Sequence, residues 1–210
     1  MDVDIYPAWA LRVVLSSSMG VPSAVRRRIA KKLPKSHHGS NGAGDSNWDR
    51  AHMGALAAFT ARSMNTASPR PFGAAIVHTK TGRVLLCALN AVKQQCDPSA
   101  HAEVRAIRLA TKRLQKLSLA GYTLYTTCEP CPMCMSAALW AGLDRVVYGA
   151  TIADANRHCN QIRIPAAEVA ERSDMSCIVD GPVLRGECYA LFTHPRMLRA
   201  FRLWSTRNRR

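Results

Sequence analysis

Three cysteines at even intervals, Cys128, Cys131 and Cys134 in TTCEPCPMC, and a His-x-Glu pair, His101 and Glu103 in DPSAHAEV, are the residues of this chain best suited to chemistry. Thiolates so spaced hold either an iron–sulfur cluster or a zinc ion. A ferredoxin run needs a fourth cysteine followed by proline, and here the fourth position is Ala138 with no Cys-Pro beyond it. Zinc accepts thiolates and imidazoles, and Cys-x-x-Cys is a frequent half-site for it. Pro130 suits the first turn of a helix, which would place Cys131 and Cys134, three apart, on one face of that turn. The positive amino end of a helix also lowers thiol pKa values and favours the thiolates that a metal requires. Cys128 falls at the end of a strand, where it reads as a small buried neighbour of the site and not as a ligand.

The other half-site is His101, at the start of a second long helix. His101, Cys131 and Cys134 would leave one of four zinc positions to water, whereas a closed structural site would add Cys128 or Glu103. Zinc lowers the pKa of a water molecule from about 15.7 toward about 7. Glu103, beside the metal but not on it, could pass the water's proton to a ring nitrogen and then to a departing amino group. A purely structural site has no use for that carboxylate. H-x-E together with P-C-x-x-C is the pattern of zinc-dependent base deaminases.

Several elements must position these residues. Asp49 can cap a helix whose apolar residues Met53, Leu56, Ala57 and Ala61 recur at three and four. GAAIVH (73–78) and RVLLCAL (83–89), joined by TKTG, read as a hairpin with Gly82 at positive φ. Ser99 precedes a long helical pattern in which Val104, Ile107 and Leu114 can face the core. YTLYTT (122–127) reads as a strand, CPMCMSAALWA as a helix closed by Gly142, and RVVYGA (145–150) as a strand. CIVDG (177–181) adds a fifth strand and VLRGECYALF a further helix. The order predicts a three-layer α/β/α sandwich around a mixed five-stranded sheet.

The chain has 210 residues and a net charge of +15, and much of the excess lies near its ends. Residues 1–44 carry seven basic and two acidic residues, and residues 195–210 carry six arginines and no acid. We therefore divide the sequence into a basic, disordered extension (1–46), a zinc-site domain (47–194) and an arginine-rich tail (195–210). The tail could serve RNA phosphates or simply be solvated. No apolar run is long enough for a membrane helix, since AWALRVVL is broken by Arg12. Eight cysteines without a secretory signal suggest a reducing, cytoplasmic setting; the extension also has some features of an organelle transit peptide, against which stand Asp2 and Asp4.

From about Asn47 to Phe192 the chain resembles the cytidine deaminase-like superfamily, and within it the purine branch that includes guanine deaminases and tRNA adenosine deaminases. The motifs that carry the likeness are PFGAAIV (71–77), Asn90, DPSAHAEVRAIR (97–108), LYTTCEPCPMC (124–134) and RVVYGA (145–150). The resemblance implies one zinc ion on His101, Cys131 and Cys134, Glu103 as proton shuttle, Asn90 hydrogen-bonded to the base, and a homodimer. It further implies that Phe72 and Ala75 of PFGA, and Trp140, contact the substrate, as in guanine deaminases. Where guanine deaminases carry an acidic pair this chain has Gln161 and Ile162, and its ending, IVDGPVLRGECYALF, is similar to the tRNA-editing branch. The substrate expected is a nucleobase or nucleoside, foremost a small guanine-like purine as in guanine deaminases, with tRNA adenosine at the wobble position as the alternative. A non-catalytic zinc protein that binds nucleic acid is the reading from a different class.

Overall fold

The computed structural model describes residues 46–207, with side chains as far as Leu203. The expectations for the first 45 residues lie outside the described residues. Helix α1 (Asn47–Ala61) and a 3-10 turn (Arg62–Asn65) lead to the hairpin β1 (Gly73–His78) and β2 (Val84–Leu89). A short helix α2 (Val92–Gln95) precedes α3 (Ala102–Leu114), and then β3 (Tyr122–Cys128), α4 (Pro132–Trp140) and β4 (Arg145–Ala150) alternate. The chain continues through α5 (Ile152–Asn156), α6 (Ala166–Glu171), β5 (Ile178–Asp180), α7 (Arg185–Thr193) and α8 (Pro195–Arg207).

One five-stranded sheet runs in the order β2-β1-β3-β4-β5. β1 is antiparallel to β2 and β3, while β3, β4 and β5 are mutually parallel, so the sheet is mixed as the sequence predicts. Gly82 takes φ +64° in the hairpin turn, where a side chain would be strained.

Strand alternation divides the core between two faces. Ala74, Ile76, Leu124 and Val146 pack against Ala102, Ala106, Ile107 and Ala110 of α3 and Met135, Ala138 and Leu139 of α4. Ala75, Val77, Tyr125 and Val147 pack on the other face against Met53, Leu56 and Phe59 of α1 and Leu191 and Phe192 of α7. The result is helix, sheet, helix. α3 lies close to the sheet because its buried row is Ala102, Ala106, Ala110 with Ile107; Val104 and Leu114 are only half-buried. α7 approaches β4 as closely at Gly149, where a Cβ would lie 2.2 Å from Cys188 Sγ.

Ser46, and not Asp49, caps α1: its hydroxyl oxygen accepts from Asp49 N–H at 3.1 Å. Asp49 lies three residues into the helix and is buried, where Tyr125 OH donates to Oδ1 at 2.7 Å and Arg145 binds both carboxylate oxygens at 2.7 and 3.0 Å. A residue with good capping chemistry is recruited instead by the half-buried Arg145. No helix among the described residues is long and apolar enough to cross a membrane.

Candidate metal and catalytic site

The beginnings of α3 and α4 meet beyond the carboxyl end of the central strand β3. His101 and Cys131 are the residues immediately before the two helices, both with extended backbone, and Cys134 lies in the first turn of α4. Pro132, and not Pro130 as the sequence suggested, occupies the first helical position, so Cys131 stands just outside the helix and not in its first turn.

The three donor atoms form a small triangle. Cys131 Sγ and Cys134 Sγ are 3.6 Å apart, and His101 Nδ1 lies 3.7 Å from the first and 3.5 Å from the second. Tetrahedral zinc with Zn–S of about 2.3 Å and Zn–N of about 2.05 Å would set edges of about 3.8 Å between sulfurs and about 3.6 Å from sulfur to nitrogen. The observed triangle has that size within about 0.2 Å, so this donor set fits a zinc ion. Cys128 is buried, with its Sγ 3.8 Å from the Thr151 carbonyl oxygen and outside the triangle.

Glu103 is buried, and Thr126 Oγ1 lies 3.2 Å from its Oε1. Burial pushes its carboxyl pKa up, against the opposing pull of hydrogen bonds and of His101. Cys131 is pulled down to about 4, first by its hydrogen bond with Cys134 and then, against burial, by His101. Cys134 moves up, because a thiolate at Cys131 beside it and burial both disfavour a second negative charge. His101 moves up through its hydrogen bond with Cys131. The three groups compete for the same protons, and a bound cation can take the place of those protons.

His101, Glu103 and Cys131 open on a cleft of about 970 Å³, also lined by Phe72, Asn90, Glu129, His158, Gln161, Phe201 and others. A chain of contacts fixes its near wall. Gly73 N–H donates to Thr127 Oγ1, whose hydroxyl donates to the Pro71 carbonyl, and Asn90 N–H donates to the Phe72 carbonyl at 3.0 Å. Asn90 Oδ1 accepts from Val92 N–H at 3.2 Å, which leaves its NH₂ group as a donor for a ligand. Phe72 stands edge-on to Phe192, with ring centroids 5.1 Å apart.

Two expected contacts lie elsewhere. Ala75 is buried in the core beneath α1, because it occupies the strand face opposite to Ala74. Trp140, at the last position of α4, is 78% exposed and is not part of the cleft wall. It is seven residues from the exposed Met133, on the side of α4 turned away from the sheet.

Other cleft residues had no strong signal in the sequence. Glu129 sits between Cys128 and Cys131, and its carboxylate accepts from Ile152 N–H at 3.0 Å and Ala166 N–H at 3.1 Å, binding the starts of α5 and α6 to the cysteine loop. His158 Nε2 lies 3.1 Å from Tyr189 OH, and its ring is nearly parallel to that of Phe201 at 6.0 Å. Residues 195–207, expected as a tail, form α8, which lends Met197, Ala200, Phe201 and Leu203 to the cleft. The spacing of those apolar residues was the available signal, and the intervening arginines masked it. Gln161 and Ile162 also line the cleft.

Comparison with known proteins agrees with this geometry. The family model for the cytidine and deoxycytidylate deaminase zinc-binding region matches residues 46–150. The chain is 49% identical over 85 residues to guanine deaminase of Bacillus subtilis, covering 40% of this chain and 53% of that one. It is 39% identical over 102 residues to the tRNA-specific adenosine deaminase of Agrobacterium fabrum, covering 49% and 66% respectively. The matches thus span about half to two thirds of those relatives. The solved guanine deaminase of Nitrosomonas europaea has the same fold, with a TM-score of 0.62 at 22% identity over 88% of this chain and 95% of that one.

Proposed function

Since the chain belongs to the family of the cytidine and deoxycytidylate deaminase zinc-binding region, we propose that it is a zinc-dependent hydrolytic deaminase that removes the exocyclic amino group of a purine base or nucleoside. The observation that carries this reading is a His-Cys-Cys triangle of zinc dimensions with the buried Glu103 beside it, at a cleft wide enough for a base. His101, Cys131 and Cys134 would hold one ion per chain, which when bound supplies Lewis acidity and makes a water more acidic.

The chain's own residues account for the rest. Asn90 offers its NH₂ donor to an acceptor on the ring, and Phe72 offers an apolar edge to its face. Glu103 accepts a proton from the attacking water and delivers it to the ring nitrogen next to the attacked carbon. The carbon becomes tetrahedral. Glu103 then gives the second water proton to the amino group, the C–N bond breaks, and ammonia and the oxo-base leave. Thr126 steadies the carboxylate through the hydroxyl near Oε1. Gln161 and Ile162, on the cleft wall where the resemblance puts an acidic pair, shift the substrate away from guanine itself. The full-length, zinc-loaded protein is expected to release ammonia from members of an aminopurine panel, and Glu103→Ala is expected to abolish it with zinc retained. Activity that survives in that variant refutes the role of Glu103.

A second reading, deamination of a tRNA adenosine to inosine, is favoured by α8, which joins a cleft wall to the arginines Arg196 and Arg199. Inosine in a tRNA treated with the protein would establish it, and activity confined to free bases would dismiss it. The proposal includes a cytoplasmic homodimer, for which the exposed Met133 and Trp140 face of α4 offers an apolar surface. Sedimentation tests the dimer: a monomer for the wild type, or a dimer that survives Trp140→Glu, counts against that surface.

A further inference from the structure

Arg70 is presented to the cleft by a backbone fixed from several directions. It lies between Pro69 and Pro71, whose rings fix φ on either side. The buried Ser63 hydroxyl donates to the Arg70 carbonyl oxygen at 2.8 Å and accepts from Arg70 N–H at 3.0 Å. Thr127 holds the Pro71 carbonyl at 2.9 Å.

The side chain, by contrast, is poorly satisfied. Its Nη1 donates to the Asn90 carbonyl oxygen at 3.3 Å, and its Nε is buried with no hydrogen-bond partner. An arginine kept for packing would have its buried donors met, because a buried unpaired donor costs free energy. No carboxylate among the described residues pairs with it. The acids that line the same cleft are committed elsewhere, Glu129 to Ile152 N–H and Ala166 N–H, and Glu103 to Thr126. The guanidinium is thus a positive fork on the cleft wall next to Asn90, with Lys93 further along the rim and Gln94 Nε2 donating to Ser68 Oγ at 2.7 Å. A planar fork of this kind matches the oxygens of a phosphate. The cleft, about 970 Å³, is near the upper end of the roughly 300 to 1,000 Å³ of small-molecule sites, and a bare purine fills only part of it.

We propose that Arg70 forms a phosphate subsite and that the cleft takes its purine as a phosphate ester of the nucleoside, a purine mononucleotide, with the base toward Glu103 and the phosphate on the guanidinium. A small rotation that gives up the single 3.3 Å bond to Asn90 would turn Nε and an Nη toward two phosphate oxygens and meet the orphaned donor. The identity of the base rests on the purine-deaminase reading; the phosphate subsite does not.

The test measures binding and turnover separately on the full-length, zinc-loaded protein. Titration calorimetry compares adenosine and guanosine with their 5′-monophosphates, and ammonia release is followed on the same four compounds. Each monophosphate is expected to bind on the order of tenfold or more tightly than its nucleoside, as a charge-assisted hydrogen-bonded pair would give. Arg70→Ala is expected to close that gap, Arg70→Lys to keep part of it, and inorganic phosphate to compete with the monophosphate in the wild type only. A gap that is absent in the wild type, or that persists in Arg70→Ala, overturns the subsite, and ammonia release from the nucleosides would still uphold the deaminase reading. A gap that depends on Arg70 without ammonia release upholds the subsite and sinks the deaminase reading. A gain that appears only with a short single-stranded RNA overturns the mononucleotide subsite and assigns the Arg70 guanidinium to a polynucleotide phosphate instead.

Discussion

Asp49 gives the sharpest test of how this fold is held together. Its carboxylate is 2% exposed and accepts from Tyr125 OH and from both Nη atoms of Arg145, so one buried anion ties α1 to β3 and β4. Arg145 is 21% exposed and also pairs through Nε with Asp180 of β5. Asp49→Asn keeps the shape, removes the charge and turns an NH₂ group toward the guanidinium. Breaking a buried pair costs about 3 to 5 kcal/mol. Because Arg145 retains Asp180, we expect the low end, about 3 kcal/mol, which for a domain of this size lowers Tm by roughly 6 to 12 °C. Asp180→Asn, which touches a more exposed partner, should cost about 1 kcal/mol or less.

The same anion sets a pH signature. Burial tends to raise the Asp49 pKa, but Arg145, Ser46 and Tyr125 outweigh it and hold the carboxyl below its ordinary value. Its contribution is therefore complete above the unfolded pKa of about 3.9 and is lost as pH falls through the folded value. The stability gap between wild type and Asp49→Asn, measured by urea unfolding of the zinc-loaded protein, should be flat from about pH 7 to pH 5 and narrow below about pH 4. A gap under about 1 kcal/mol at pH 7, or one that widens in acid, would refute the assignment of Asp49 as a stabilising buried anion.

Glu103→Gln should lower the rate of ammonia release by at least about 10²-fold while zinc content by elemental analysis stays unchanged; loss of zinc would make Glu103 a ligand instead. Cys134→Ala should strip the metal and lower the unfolding midpoint, since binding energy is folding energy, whereas Cys128→Ala should leave zinc content intact. Gly149→Ala would drive a methyl into Cys188 and cost about 1 to 3 kcal/mol by thermal unfolding, and a neutral result would mean that α7 can move aside. Glu129→Ala removes the acceptor shared by Ile152 and Ala166, and should raise KM more than it lowers kcat because it loosens the far wall of the cleft and not the His-Cys-Cys triangle.

What the sequence made legible follows from what each residue's function depends on. Residues 131 and 134 needed only a helix start to face one way, and a helix start is announced locally by proline and by the apolar run behind it. The pairing of that start with His101 was legible only through the joint pattern H-x-E and P-C-x-x-C of zinc-dependent base deaminases, because nothing local to residue 101 names its partner. Ala75, Trp140 and α8 depend instead on three-dimensional facts. Whether Ala74 or Ala75 turns toward α1 is set by the register of β1 against β3, where Ala75 lies opposite Tyr125, and a strand buried on both faces shows no alternation to read. Trp140 occupies the final position of a nine-residue helix, where a small rotation separates the core from solvent, and an apolar composition on nearly every side of α4 gives no stripe to fix that rotation. In α8 the stripe exists, but a run rich in arginine looks solvated until Phe201 is seen beside His158, whose own position is set by Tyr189 and by the loop that Glu129 anchors. The metal triangle is thus encoded within two short segments, while the far wall of the cleft joins residues 158–162 to α8 across a long stretch of chain. Substrate choice, which that wall decides, is for this reason the property least accessible to motif reading, and substitutions at His158 or Phe201 should alter it without disturbing zinc.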